Sequence, residues 1–237
     1  MVTKRERRGS MELKVIARIY TDFKEKFGIP RQSGIAGETV GKIIFEEPYR
    51  RPEAFRGLSE YSHLWLLWEF SEAVRENWSP TVRPPRLGGN KKMGVFATRS
   101  PYRPNPIGLS SVELLRVEET EKFGTVIYVK GADILNGTPI YDVKPYLAYT
   151  DSHPNAKGGF ADGALEYKLK IENPESLDTL SEIERKTILS LLENDPRPAY
   201  KNDPERIYGM IYGSCEVFFK VSENTLTVTG IKEKSSN

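Results

Sequence analysis

The sequence predicts an α+β fold that is mainly β, a large N-terminal β region followed by a small α+β C-terminal unit. Three observations carry this. Short runs of alternating or continuous apolar residues recur through the first half, separated by Pro- and Gly-rich punctuation. Helical periodicity emerges clearly once, where Leu180, Ile183, Ile188, Leu191 and Leu192 would line one face between the start signal Pro174 and the stop at Asp195-Pro196. Between these regions, Asp151 to Gly163 holds Asn155, Gly158, Gly159 and Gly163, the composition of a linker.

Taken in order, residues 12–20 alternate in strand fashion and a second such run spans Val40 to Phe45. Between them lies the irregular segment Ile29-Pro30-Arg31-Gln32-Ser33-Gly34. A turn or short helix near Pro52 to Phe55 leads to His63-Leu64-Trp65-Leu66-Leu67-Trp68, a continuous apolar run suited to a buried strand, with Trp65 and Trp68 as core. Further strands are predicted at Gly94 to Thr98, Ile107 to Val117 and Thr125 to Lys130, and Ser79 to Gly89 is loop. Asn136-Gly137 between apolar runs predicts a type I′ hairpin. After the helix, Arg206 to Tyr212, Glu216 to Val221 and Thr225 to Ile231 read as strands, with a turn at Ser222-Glu223-Asn224. The expected division is residues 1–10 as a leader or tag, 11–155 as the first domain and 156–237 as the second.

Composition excludes several classes. The lone Cys215 cannot form an intrachain disulfide, and with only His63 and His153 no Cys/His zinc cluster is expected. No run approaches the ~20 apolar residues of a membrane span, so a cytoplasmic protein without a membrane partner is expected. There is neither a GxGxxG after a strand nor a GxxxxGK[ST], so a nucleoside cofactor would bind outside a Rossmann fold. Net charge is only +2, yet no acidic residue lies between Glu76 and Glu113, while Arg83, Arg86, Lys91, Lys92, Arg99 and Arg103 do. That basic island suits phosphate, although a solvated loop would look the same.

Three segments carry possible chemistry. In Arg99-Ser100-Pro101-Tyr102-Arg103-Pro104-Asn105-Pro106 the prolines stiffen a loop that presents two guanidinium forks and an amide. Around Asn136-Gly137, a plain turn leaves Asp133, Asp142 and Lys144 unexplained, and charged groups gathered there would suit a pocket. Pro30-Arg31-Gln32-Ser33-Gly34 offers polar side chains and a glycine that permits close approach. His63 reads more simply as structural, and Asp151-Ser152-His153 is not a hydrolase triad, because sequence neighbours do not align in the required way.

On these segments the sequence resembles the TrmO (TsaA-like) family of tRNA methyltransferases. The resemblance rests on Pro30-Arg31-Gln32, Ser62-His63-Leu64-Trp65, Arg83-Pro84-Pro85-Arg86-Leu87-Gly88-Gly89, Gly94 to Ser100, Arg103-Pro104-Asn105-Pro106-Ile107-Gly108, Gly137-Thr138-Pro139 and Asp142-Val143-Lys144-Pro145-Tyr146. Asp195-Pro196-Arg197-Pro198-Ala199-Tyr200 extends it into the C-terminal unit. It implies a non-Rossmann, β-barrel-like S-adenosylmethionine domain, a homodimer, and methylation of N6-threonylcarbamoyladenosine at position 37 in the tRNA anticodon arm. It also implies a cofactor site of Pro30, Arg31, Gln32, His63, Leu64, Arg99, Leu109, Asp133, Ile134, Leu135, Asn136 and Gly137. Arg86, Arg103, Asn105, Lys144 and Tyr146 would serve the substrate.

The implied reaction asks for a general base, because the carbonyl substituent on N6 withdraws its lone pair; Asp133 and Asp142 are the candidates. Arg99 or Arg103 would bind the threonyl carboxylate. A binding module without turnover and a small-molecule methyltransferase remain the alternative readings.

Overall fold

The computed structural model describes residues 12–30, 32–34, 38–74, 77–84, 91–164, 167–197 and 203–233. Its N-terminal half contains β1 (Ala17–Tyr20), β2 (Val40–Phe45), β3 (His63–Glu69), a ribbon of β4 (Thr81–Val82) and β5 (Met93–Gly94), then β6 (Ile107–Thr120), β7 (Gly124–Lys130) and β8 (Thr138–Pro145). Six of these close into a barrel in the order β1-β2-β7-β6-β3-β8, every neighbouring pair antiparallel. Closure leaves the barrel without an unpaired edge. Inward positions are mostly apolar: Ala17, Ile19, Ile43, Phe45, Leu64, Leu66, Trp68, Val112, Ile127, Val129 and Ile140 form one core. Short 3₁₀ turns between β2 and β3 bring Phe55 edge-on to Phe45, 4.8 Å between ring centroids.

Three local expectations are corrected. Asn136-Gly137 is a turn, with Gly137 at φ 79°, but no β-hairpin surrounds it: β7 pairs with β2 and β6, and β8 with β1 and β3. A strand over Gly94 to Thr98 shrinks to Met93–Gly94 followed by a 3₁₀ turn at Val95–Ala97, in which Val95 is buried and Phe96 exposed. Trp65 is only half-buried, on the opposite face of β3 from Leu64, Leu66 and Trp68.

The C-terminal half comprises β9 (Lys170–Glu172), a helix, and the meander β10 (Tyr208–Tyr212), β11 (Cys215–Ser222) and β12 (Thr225–Glu233). Sheet order is β10-β11-β12-β9, with β9 parallel to β12. One-turn α1 (Ala148–Asp151) precedes this half, and its main helix is α2 (Glu182–Glu193). Thr187, Ile188, Leu191 and Leu192 form the buried face of α2, and Ile183 is exposed because it lies about 140° around the helix from Ile188. A capping box starts α2: the Glu184 amide donates to Ser181 Oγ at 3.3 Å and the Ser181 amide to Glu184 Oε2 at 3.2 Å. Ser181→Ala is expected to cost about 1 kcal/mol, read as a lower urea midpoint at unchanged slope.

The two halves share a seam. Phe23 is buried in the C-terminal core, and Phe27 and Ile29 pack against it. The segment between β1 and β2 covers the outer edge of β10, where the Gly213 amide donates to Asp22 O at 3.0 Å and the Ile211 amide to Glu25 Oε1 at 3.4 Å. Burial, then the nearby Asp22 carboxylate, pushes the Tyr212 hydroxyl up to about 12, so it stays protonated at this seam.

Candidate active site

The chain between β7 and β8, Gly131 to Gly137, is not a strand, yet its backbone is fixed at nearly every residue. The Gly131 amide donates to Thr39 O at 2.8 Å, while Gly131 O accepts from the Gly34 amide at 2.9 Å. Thr39 Oγ1 donates to Ala132 O at 3.3 Å and Thr21 Oγ1 to Ile134 O at 2.9 Å. Asn136 Oδ1 accepts from the Thr21 amide at 3.1 Å, and the Asn136 amide donates to Phe23 O at 2.9 Å. Arg18 Nη1 donates to Gly137 O at 3.1 Å. A segment tied on both sides in this way holds its one charged side chain, Asp133, in a defined place.

Asp133 ends a buried relay. Trp68 Nε1 donates to Ser110 Oγ at 3.0 Å, and Ser110 Oγ donates to Asp133 Oδ1 at 2.6 Å. Ser110 occupies an inward position of β6 between Gly108 and Val112, where a hydroxyl is sustained only by such partners. Burial raises the Asp133 carboxyl above the ordinary range, more than the Ser110 bond, the Arg99 charge and the Ser33 amide lower it. A carboxylate of raised basicity beside a cation is a candidate general base.

Arg99 comes from the proline-stiffened loop before β6. The Thr98 hydroxyl donates to Val95 O at 2.9 Å, the Arg103 amide to Pro101 O at 2.9 Å, and Arg103 Nη1 to Thr98 O at 3.2 Å. Arg103 thus staples the loop that carries Arg99. Exposed Arg99 donates through Nη1 to Gln32 Oε1 at 2.6 Å. The structure thereby brings together Gln32, Arg99 and Asp133, from three separate stretches of sequence.

Comparison with known proteins assigns the chain as a whole to a family. Residues 18–152 match the family model described as tRNA-methyltransferase O N-terminal domain, and residues 166–234 match the TrmO C-terminal domain. The chain belongs to the tRNA-methyltransferase O family. A tRNA (adenine(37)-N6)-methyltransferase of Escherichia coli K12 is 40% identical over 235 residues, 95% of this chain and 100% of that protein. One from Eikenella corrodens is 42% identical over 172 residues, 72% of this chain and 97% of the relative. A crystal structure of TrmO from Pseudomonas aeruginosa superposes with a TM-score of 0.73 at 30% identity, covering 94% of this chain and 100% of that one.

Set on this TrmO fold, the residues expected at the site fall into two groups. Gln32, Arg99 and Asp133 form the cluster just described, with Pro30 leading into it and Ile134, Leu135, Asn136 and Gly137 extending it through their backbone; the Ile134 side chain itself is buried. Leu64 likewise points into the barrel core. The second group lies on the outer wall of β3, β6 and β8. There Leu109 stands opposite Leu67, which stands opposite Asp142, and Trp65 stands opposite Lys144. Asp142 pairs with Lys144 at 2.9 Å, half-exposed. His63 and Tyr146 are neighbours, 6.1 Å between rings, and the Tyr146 amide donates to His63 O at 2.9 Å. Trp65 Nε1 donates to Asp151 Oδ2 at 2.9 Å, a structural use of the carboxylate in Asp151-Ser152-His153. Asn105 is exposed at the loop tip, its carbonyl accepting from the Ile107 amide at 2.7 Å. Arg31 and Arg86 lie outside the described residues.

Sequence reasoning missed Ser110 and assigned Trp68 to the core alone. A hydroxyl at an inward strand position is the signal that marks Ser110. Among the described residues no group of three His, Cys, Asp or Glu side chains is placed to hold a metal, and no helix is long and apolar enough to cross a membrane.

Proposed function

We propose that this chain methylates N6 of adenine 37 in tRNA with S-adenosylmethionine as donor, and that its adenine carries the threonylcarbamoyl group. One observation carries the reading: a carboxylate of raised basicity, Asp133, held on a fixed backbone beside Arg99 and Gln32. The E. coli and Eikenella relatives supply the reaction class. A relative from Pseudomonas aeruginosa, 40% identical over 203 residues, is named a putative S-adenosylmethionine-dependent methyltransferase.

The donor set fits that cofactor. The carboxylate of the cofactor's amino-acid end needs a guanidinium, which Arg99 provides, while Gln32 and the backbone of Ile134 to Gly137 supply polar partners for its ammonium and nucleoside. The cofactor's sulfonium is an activated methyl donor. This chain's task is then to align N6 and to take up its proton, which Asp133 does as general base. Asp142, already paired with Lys144 on the outer wall, is the lesser candidate. Arg103 receives the threonyl carboxylate, and adenine lacking that group leaves the cation unpaired. The basic residues Arg83, Lys91 and Lys92 contact anticodon-arm phosphates. We place the cofactor unit in residues 11–155 and the second unit in 156–237, in a cytoplasmic protein.

A homodimer belongs to the same proposal. Trp78, just before β4, and Phe96, in the 3₁₀ turn after β5, are 52% and 72% exposed and lie beside each other with rings 6.1 Å apart. Such a pair suits the centre of an interface with a second copy. Phe96→Asp is expected to turn the dimer into monomer in sedimentation equilibrium; a wild-type protein that sediments as monomer would refute the assignment.

The test of function incubates the protein and labelled S-adenosylmethionine with tRNA containing or lacking threonylcarbamoyladenosine, followed by nucleoside mass spectrometry. Methyl on the modified nucleoside alone is the expected result. Transfer to neither pool would overturn the reading. Arg99→Ala is expected to raise KM for the cofactor about 10- to 100-fold, the worth of a charge-assisted hydrogen bond.

A further inference from the structure

The stretch from Asp22 to Gly34 is anchored at its two ends to different halves of the molecule. Its first part belongs to the C-terminal sheet. The Phe27 ring stacks on Tyr208 and Phe219, at 6.4 and 6.5 Å with interplanar angles of 9° and 10°. Gly28, at φ 92°, sits so close to β10 that a Cβ there would lie 2.6 Å from Met210 Cγ and 2.8 Å from Met210 Sδ. Met210 is fully buried. Its second part belongs to the site, through Gln32 to Arg99 at 2.6 Å and Gly34 to Gly131 at 2.9 Å. Only four residue steps separate Gly28 from Gln32, at most ~14 Å of chain, and Pro30 fixes one of the intervening φ angles. With so little chain between them, a shift at the seat is passed on to Gln32.

We propose that Gly28 and Met210 are positioning residues for the cofactor, with the C-terminal sheet holding Gln32 in its binding geometry. This rests on the cofactor site proposed above. The second half of the chain therefore acts on cofactor affinity through β10, whatever RNA contacts it makes. Glycine is required at position 28 on two counts, the left-handed backbone and the contact with Met210.

The experiment measures S-adenosylmethionine affinity of the full chain without tRNA, by isothermal titration well below the melting transition. Steady-state constants for both substrates are measured alongside. Gly28→Ala and Met210→Ala are expected to raise the cofactor Kd about tenfold or more, while kcat at saturating cofactor and KM for tRNA stay within about threefold. Phe27→Leu, a milder loss at the same seat, guards against a Met210→Ala protein that does not fold. Leu226→Ala is the control: it damages the same core from β12, two strands away from β10, and should leave Kd within about twofold. Folded Gly28→Ala, Met210→Ala or Phe27→Leu protein with wild-type affinity would overturn the inference. So would equal loss of affinity in Leu226→Ala, because core damage alone would then explain it. Wild-type protein that binds no S-adenosylmethionine would sink the cofactor site and this inference together.

Discussion

Asp133→Asn is expected to slow methyl transfer about 10²- to 10⁴-fold and, at neutral pH, to raise the melting temperature. Both effects come from the same burial. The folded protein holds the Asp133 carboxyl above its ordinary 3.8, so its ionised form is the one that the fold disfavours. Stability from this group is fully present below pH 3.8 and is lost as pH rises through the raised value. Asparagine keeps a side-chain oxygen for the Ser110 hydroxyl and carries no charge, so the variant escapes that loss. The melting-temperature difference between variant and wild type should therefore grow from acid to neutral pH in scanning calorimetry. Wild-type kcat should rise through the same window as the base ionises. A variant that methylates tRNA at the wild-type single-turnover rate would remove Asp133 from the chemistry.

Gly108→Ala should produce the largest loss of stability among single-methyl additions in the barrel. A Cβ at position 108 would fall 2.3, 2.5 and 2.6 Å from three atoms of the Trp68 indole. That indole is 7% exposed and has little room to yield, held by its bond to Ser110 at 3.0 Å and by Phe70 at 4.3 Å between rings. Overpacking of this kind costs about 1–3 kcal/mol and more where relief is blocked. For a chain of this size each kcal/mol lowers the melting temperature by about 2–4 °C. Turnover should fall as well, since any displacement of Trp68 reaches Asp133 through Ser110. Trp68→Phe separates the two consequences, because it removes the indole N–H without adding bulk. An unchanged melting temperature in Gly108→Ala would show that the indole moves more freely than its partners allow.

What the sequence revealed and what it hid follow from how far apart the interacting residues lie. Val40 to Phe45 was legible as a strand because its alternation is a local property, and the structure gives β2 the same bounds. The Asn136-Gly137 turn was also legible, but the hairpin was not there. Turn chemistry fixes a bend without naming the strands that pair, and barrel closure gives β8 to β1 and β3 instead. Phe23 and Phe27 carry no local signal, for their partners Tyr212, Tyr208 and Phe219 lie near the far end of the chain. Within the site, Gln32, Arg99 and Asp133 were each singled out by residue type and loop stiffness, but their proximity is a product of the tertiary fold. The relay through Ser110 needed the strand register, which no residue announces by itself.

The seam formed by Phe23, Phe27 and Ile29 also bears on how such a protein can be divided. A gene cut in the Gly-rich stretch after Asp151 would make two fragments, neither of them finished. The first would display aromatic side chains meant for another core, and the second an open β10 edge, the usual template for strand addition and precipitation. Expressed separately, the pieces should be poorly soluble; produced together, they should rescue each other as a split protein, with the short strip from Asp22 to Ile29 as the clasp.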